Sequence, residues 1–196
     1  AIWYQGERNS KGAASVLYGR QLALLIENWR DLFQCEDMPF GFVQLPNSMT
    51  PQEAPSEAGG WVMVREGMAW VDRNVDNTGM AVTLDVGVAE NIHPKNKQAV
   101  GKRLALWALD EVYNLDIVGV RPYCVDSEVK GNQIILTFDN ADKGLTTTDG
   151  RPLRGFAIAG EDMNFVWADA RINGSLVVVS SSEVENPVAV RYAWAA

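Results

Sequence analysis

The hydrophobic period changes once along this chain, and that change constrains the fold more than any other feature. Up to about residue 115, strand-length apolar runs alternate with helical spacings. From about residue 116, short strand-like runs follow one another with turns between them. In the first region, Ala1–Tyr4, Phe40–Leu45 and Met80–Val86 read as near-continuously apolar strands. Such strands belong in a parallel sheet covered on both faces. Between them, Ser15–Leu32 places Val16, Leu17, Leu22, Leu24, Leu25, Ile26, Trp29 and Leu32 at helical spacing. Trp61–Asp72 and Lys95–Asn114 complete three strand–helix units, with Pro94 in the last helix's first turn. The segment "NSMTPQEAPSEAGG" is a loop, and Asn74–Gly79 a polar turn. In the second region, "NQIILTFDN", "GFAIAG", "FVWADARING", "SLVVVSSS" and "VAVRYAW" are separated by "KGN", "TDGRP", "GED" and "NGS". The expectation is an α/β domain over 1–115, with a three-layer parallel sheet, followed by an antiparallel β-sandwich-like domain over 116–196.

Composition narrows the partners. At 196 residues and 47% apolar, a core can form without a metal or disulfide staple. The net charge of −8, from 25 acidic and 17 basic residues, argues against nucleic acid and against an anionic membrane surface. No apolar run approaches the roughly 20 residues needed to cross a bilayer. No basic-then-apolar leader is visible, and the apolar opening reads as if inside a sheet, so a preceding part is expected. Cys35 and Cys124 lack CxxC spacing, which argues against a metal site; two free, partly buried thiols are expected, with one disulfide as the alternative. No HExxH, GxxxxGK[ST] or zinc spacing occurs, so no cofactor is expected.

His93 is the chain's single histidine. It follows the carboxyl end of the third strand, the edge at which open α/β sheets bind ligands. Glu90 lies three residues before it, and Asp85 ends the strand. Either carboxylate could accept Nδ1–H and leave Nε2 free as a base; the alternative is an ordinary surface or core histidine. At the corresponding edge of the first strand stand Gln5, Gly6 and Glu7. Gly6 permits a tight turn, and Gln5 could donate to a developing oxyanion. The same residues also fit a plain strand-to-helix connection capped by Asn9 or Ser10. No serine lies in a strand–Gly–x–Ser–x turn; Ser48 follows the second strand with nothing beside it to activate it. Cys35 has no positive neighbour to lower its pKa. Trp29, Trp107 and Trp194 sit on apolar patterns and read as core, and "GLTTTDGRPLRG" reads as a hairpin turn.

Five blocks, "IWYQGERN", "NTGMAVTLDVG", "IHPKNKQAVGKRLAL", "GFAIAGED-(x)-FVWADA" and "NPVAVRYAWA", together resemble the sialate O-acetylesterases, SGNH-type hydrolases that remove acetyl esters from sialic acids and related sugars. The resemblance implies a partial flavodoxin-like domain with an appended β-domain, and a carboxy-terminal portion of the enzyme. It also implies that a serine nucleophile comes from an upstream segment or partner chain, the amino-terminal half. His93 matches the family's catalytic base, and Gln5, Gly6 and Glu7 match the segment lining the site near the oxyanion. The acid falls on Glu90, with Asp85 as the alternative; Asn91, where some relatives carry Asp, has no charge. Arg8 stands where Ser is commonest. The implied substrate is an O-acetylated carbohydrate, and the implied compartment periplasmic, secreted or lysosomal. Two other readings remain. One is a non-catalytic carbohydrate-binding or interaction subunit, using exposed aromatics such as Trp167 or Tyr123. The other is a structural subunit whose edge strand Ala1–Tyr4 completes another chain's sheet.

Overall fold

The computed structural model describes residues 1–55, 59–117, 119 and 121–194. They form two compact units, one from residues 1–51 with 59–117 and 119, the other from 52–55 with 121–194.

In the first unit, β1 (Ile2–Trp3), β2 (Phe40–Val43) and β3 (Thr78–Ala81) form a parallel sheet in the order β1-β2-β3. The period of two gives each strand two different faces. Phe40, Phe42 and Met80 point into a core shared with Tyr18, Leu22 and Ile26 of α1 (Ala14–Leu32) and Val64, Met68 and Val71 of α2 (Gly60–Asn74). Val43 and Ala81 point the other way, toward Val100 of α3 (Lys97–Trp107). The result is three layers, with α1 and α2 on one face and α3 on the other. α1 and α2 cross so closely that a Cβ on Gly19 would lie 2.9 Å from the Cα of Gly67. Trp107 lies over Gly41 and Gly79, which are register partners in β2 and β3.

Several boundaries differ from the sequence expectation, each for a local reason. The third strand spans Thr78–Ala81 rather than Met80–Val86. Its pairing begins inside the expected polar turn, and the β-branched run after Ala81 bends away. There the Thr83 hydroxyl donates to the Gln44 carbonyl and the Val86 N–H to the Thr83 carbonyl. The third helix begins at Lys97, because Asn96 caps it by accepting from the Ala99 N–H; Pro94 lies outside. It closes with a π-turn over Ala108–Val112. Neither Asn9 nor Ser10 caps α1, whose N-cap is Ala13. Ser10 instead donates to the Glu7 carbonyl within a 3₁₀ turn, Glu7–Ser10. Cys35 and Cys124 are free as expected but exposed, since both stand outside the packed faces.

The second unit holds two antiparallel sheets. One has the order β4-β5-β9-β8: β4 (Tyr123–Lys130), β5 (Gln133–Asp139), β9 (Leu176–Ser180) and β8 (Asp169–Asn173). The other has the order β10-β6-β7: β10 (Ala189–Tyr192), β6 (Phe156–Ala159) and β7 (Val166–Trp167). The expected single strand "FVWADARING" therefore serves both sheets, switching at Ala168, whose N–H donates to the Phe156 carbonyl. Two-residue hairpins join β4 to β5 and β8 to β9, with Gly131 and Gly174 in the left-handed region that these turns require. Ile134, Leu136, Val177 and Val179 of one sheet meet Phe156 and Ile158 of the other, which makes the unit a sandwich. Among the described residues no helix is long and apolar enough to cross a membrane, and no group of three or more His, Cys, Asp or Glu could hold a metal ion.

Candidate active site at the carboxyl edge of the parallel sheet

Because β1, β2 and β3 are parallel, the loops that follow them leave the same edge of the sheet. After β1 comes the turn at Gln5–Glu7. Gly6 there has φ +149°, a conformation glycine tolerates and side-chain-bearing residues avoid. It is also enclosed: a Cβ would lie 3.0 Å from Val64 Cγ1 and 3.1 Å from Met68 Cε. The turn is pinned from α1. The Tyr18 hydroxyl donates to the Gln5 carbonyl at 2.7 Å and lies 3.2 Å from Gln5 Oε1. Burial, opposed by a hydrogen bond from Trp3 and reinforced by the Glu7 charge, pushes that phenol up to about 12. Gln5 Nε2 donates to Asn9 Oδ1 at 2.8 Å, and Asn9 Nδ2 to Gln21 Oε1 at 3.2 Å. One of the two Gln5 amide hydrogens is thus engaged within the turn, leaving the other for an acceptor outside it. Tyr4 is raised by burial and by Glu7, and the Lys97 ammonium lies 4.6 Å from its ring centroid.

The loops after β2 and β3 are joined to each other. Gln44 N–H donates to the Ala81 carbonyl, Gly87 N–H to Asn47 Oδ1 at 2.8 Å, and Met49 N–H to the Ala89 carbonyl. Gly87 approaches Asn47 so closely that a Cβ would fall 1.9 Å from its carbonyl oxygen. Farther along, Asn91 N–H donates to the Val88 carbonyl and His93 N–H to Asn91 Oδ1. This Asn turn sets the backbone at His93 and leaves the imidazole exposed.

The segments that carry Gln5–Glu7 and His93 thus leave one edge of the sheet, but the structure joins neither Glu90 nor Asp85 to the imidazole. Glu90 is exposed, and among the described residues neither its carboxylate nor the His93 ring has a hydrogen bond or ion pair. Asp85 is engaged elsewhere. Arg103 of α3 donates Nη1 to one of its oxygens and Nη2 to the other, both at 2.6 Å. That pairing holds the Asp85 carboxyl below its usual value, chiefly through the hydrogen bond and against partial burial. Arg103 Nη1 also donates to the Val82 carbonyl at 2.6 Å. Arg103 and Tyr18 escape the sequence reading because nothing local marks them: eighteen positions separate Arg103 from Asp85, and thirteen separate Tyr18 from Gln5. Of the tryptophans read as core, Trp29 is half-buried and edge-on to Trp3 and Phe40, and Trp194 is half-buried beside Arg191.

No family model matches the chain. It is 29% identical over 215 residues to the sialate O-acetylesterase of Mus musculus, and 30% identical over 216 residues to that of Homo sapiens. Each match takes in 98% of this chain, but 39% and 40% of the relative. Among solved structures, a carbohydrate acetylesterase from Xanthomonas citri superposes with a TM-score of 0.92 at 38% identity, over 99% of this chain and 44% of that one. The chain thus spans about two fifths of the length of the curated relatives it matches. The likeness to sialate O-acetylesterases and to a carbohydrate acetylesterase runs through both units, over about two fifths of the relatives' own length.

Proposed function

We propose that this chain is part of a carbohydrate O-acetylesterase, supplying the base and the oxyanion-side turn, while the serine nucleophile comes from a segment it does not span. One observation carries the reading. The Gln5–Glu7 turn and the His93 loop leave the same edge of one parallel sheet, in a chain similar to sialate O-acetylesterases over 98% of its length. The serine hydroxyl attacks the acetyl carbonyl carbon while His93 takes its proton. The second amide hydrogen of Gln5 is available to the oxyanion, in a turn whose shape Gly6 and Tyr18 fix. As the tetrahedral intermediate collapses, His93 returns the proton to the departing sugar oxygen. Water then attacks the acetyl-serine with His93 again as base, and acetate leaves. Glu90 is the carboxylate free to turn toward the imidazole when substrate and serine close the site, since Asp85 is held by Arg103. Ester hydrolysis involves no redox change and needs no cofactor.

The test is an assay with an O-acetylated sialic acid and with 4-nitrophenyl acetate. The 196-residue chain alone is expected to show only background hydrolysis. Joined to the serine-bearing segment it turns over, and His93→Ala then lowers kcat by about 10²–10⁴-fold. Brisk turnover by the chain alone that survives His93→Ala removes the proposal.

A second reading has its own support. Trp167 is 44% exposed, and its indole N–H is fixed on the Glu53 carbonyl at 2.9 Å, which leaves a held aromatic surface suited to a sugar face. If the chain is a carbohydrate-binding subunit, Trp167→Ala weakens its binding to an immobilised O-acetylated glycan. Binding that is unchanged by this substitution excludes Trp167 as the platform.

A further inference from the structure

The loop that bears His93 joins β3 to α3, and both of its ends are tied by one side chain. Arg103 lies in α3, the element after the loop. Its guanidinium reaches back to the element before the loop, accepted by the Val82 carbonyl and by both oxygens of Asp85, all at 2.6 Å. A planar fork with two parallel N–H···O bonds fixes direction as well as distance, which a lysine ammonium does not. Between the two anchors, the loop is held by weaker pieces: a turn at Thr83–Val86, the Gly87–Asn47 and Met49–Ala89 bonds to the neighbouring loop, and the Asn91 turn at His93. The imidazole has no bonded partner among the described residues to hold it in place. Its position therefore depends on the course of this backbone.

We infer that Arg103 is a positioning residue, acting through Asp85 and the Val82 carbonyl to set the loop that presents His93 to the edge of the sheet. The catalytic part of this inference rests on the reading of His93 as the base; the mechanical part does not. In this role Asp85 belongs to the scaffold of the loop and leaves the task of orienting the imidazole to Glu90. Arg103→Lys keeps the charge but loses the fork, and is a partial substitute at best.

Amide hydrogen exchange on the 196-residue chain reads the mechanical part directly. In Arg103→Gln, the amides of Gly87, Asn91 and His93 are expected to exchange about three- to fivefold faster, as in a local opening. Those of Phe40 and Gly41 in the sheet should stay within about twofold. Asp85→Asn should give the same pattern, the double variant no more than either single one, and Arg103→Lys an intermediate value. Loop amides that keep wild-type rates in Arg103→Gln overturn the inference. So does a uniform rise across loop and sheet, which would make Arg103 a general stabiliser. With the serine-bearing segment joined, Arg103→Gln should lower kcat with KM kept within about twofold, as expected when a base is misplaced. A loss confined to KM overturns the catalytic part. If no esterase activity exists at all, the proposed function fails, while the exchange result still decides the role of Arg103.

Discussion

At the scale of single residues, the tightest constraints are contacts with no slack. Gly79 lies under Trp107, and a Cβ there would fall 2.0 Å from the indole nitrogen. Gly79→Ala must lift Trp107 off the sheet and should cost about 1–3 kcal/mol, the range for over-packing. Gly101 of α3 is the internal control: a Cβ there meets nothing within 4 Å. Gly101→Ala should stabilise by about 0.4–1 kcal/mol by restricting the unfolded chain. Denaturant midpoints for the two variants should move in opposite directions. Tyr18 offers a pH-dependent counterpart. Its folded pKa of about 12 lies above the unfolded value of 10.0 because burial disfavours the phenolate. The stability this contributes is fully present below pH 10 and is lost as pH rises from 10 toward 12. Tyr18→Phe should therefore cost about 1 kcal/mol at neutral pH through the lost bond to the Gln5 carbonyl. It should also decline less steeply than the wild type across that alkaline window, measured as denaturant midpoint against pH.

At the scale of elements, Asp85 gives the acid-side case. Its folded pKa is depressed by the Arg103 hydrogen bond, so its contribution is present at neutral pH and is lost as pH falls through the depressed value. The pair is well open to solvent on one side, with side-chain accessibilities of 34% for Arg103 and 64% for Asp85. Its net worth is accordingly about 1 kcal/mol or less. Asp85→Asn should flatten the acid limb of the stability profile while changing the neutral midpoint little. This pair also marks the limit of what the sequence discloses. The three parallel strands were legible because each is a short apolar run bounded by turn residues, and the sandwich because its turns carry Gly at the positions hairpins demand. The end of β3 was not legible: "VTLDV" has strand propensity, but the Thr83 hydroxyl finds the Gln44 carbonyl and turns the chain. The split of "FVWADARING" between two sheets was hidden for the same reason, since the switch at Ala168 is decided by partners far away in sequence. In the candidate site, the departure of the loops after β1 and β3 from one edge of the sheet was legible from the topology. The hold on Asp85 was not, because a contact across eighteen residues leaves no periodic trace.

At the scale of the whole molecule, stability and the proposed chemistry are carried by different residues, and that separation can be measured. Each unit closes its own core: Ile26, Phe40, Phe42, Val64 and Met68 in the first, Ile158 and Val179 in the second, all at 0% exposure. His93, by contrast, is exposed and among the described residues is bonded only through its backbone N–H. Removing its ring leaves no cavity and strands no buried polar group, the two routes by which a substitution becomes costly. His93→Ala should therefore shift the unfolding free energy by no more than about 0.5 kcal/mol. Ile158→Ala should cost about 2–5 kcal/mol and lower the protection of amides in β5, β6 and β9, which surround it. If the proposed function holds, the effects on hydrolysis run the other way once the serine-bearing segment is present. His93→Ala removes turnover from a protein that melts normally, whereas Ile158→Ala loses activity only in proportion to the fraction unfolded. A His93→Ala variant that unfolds as readily as Ile158→Ala would make the histidine a structural residue and withdraw the strongest support for its role as base.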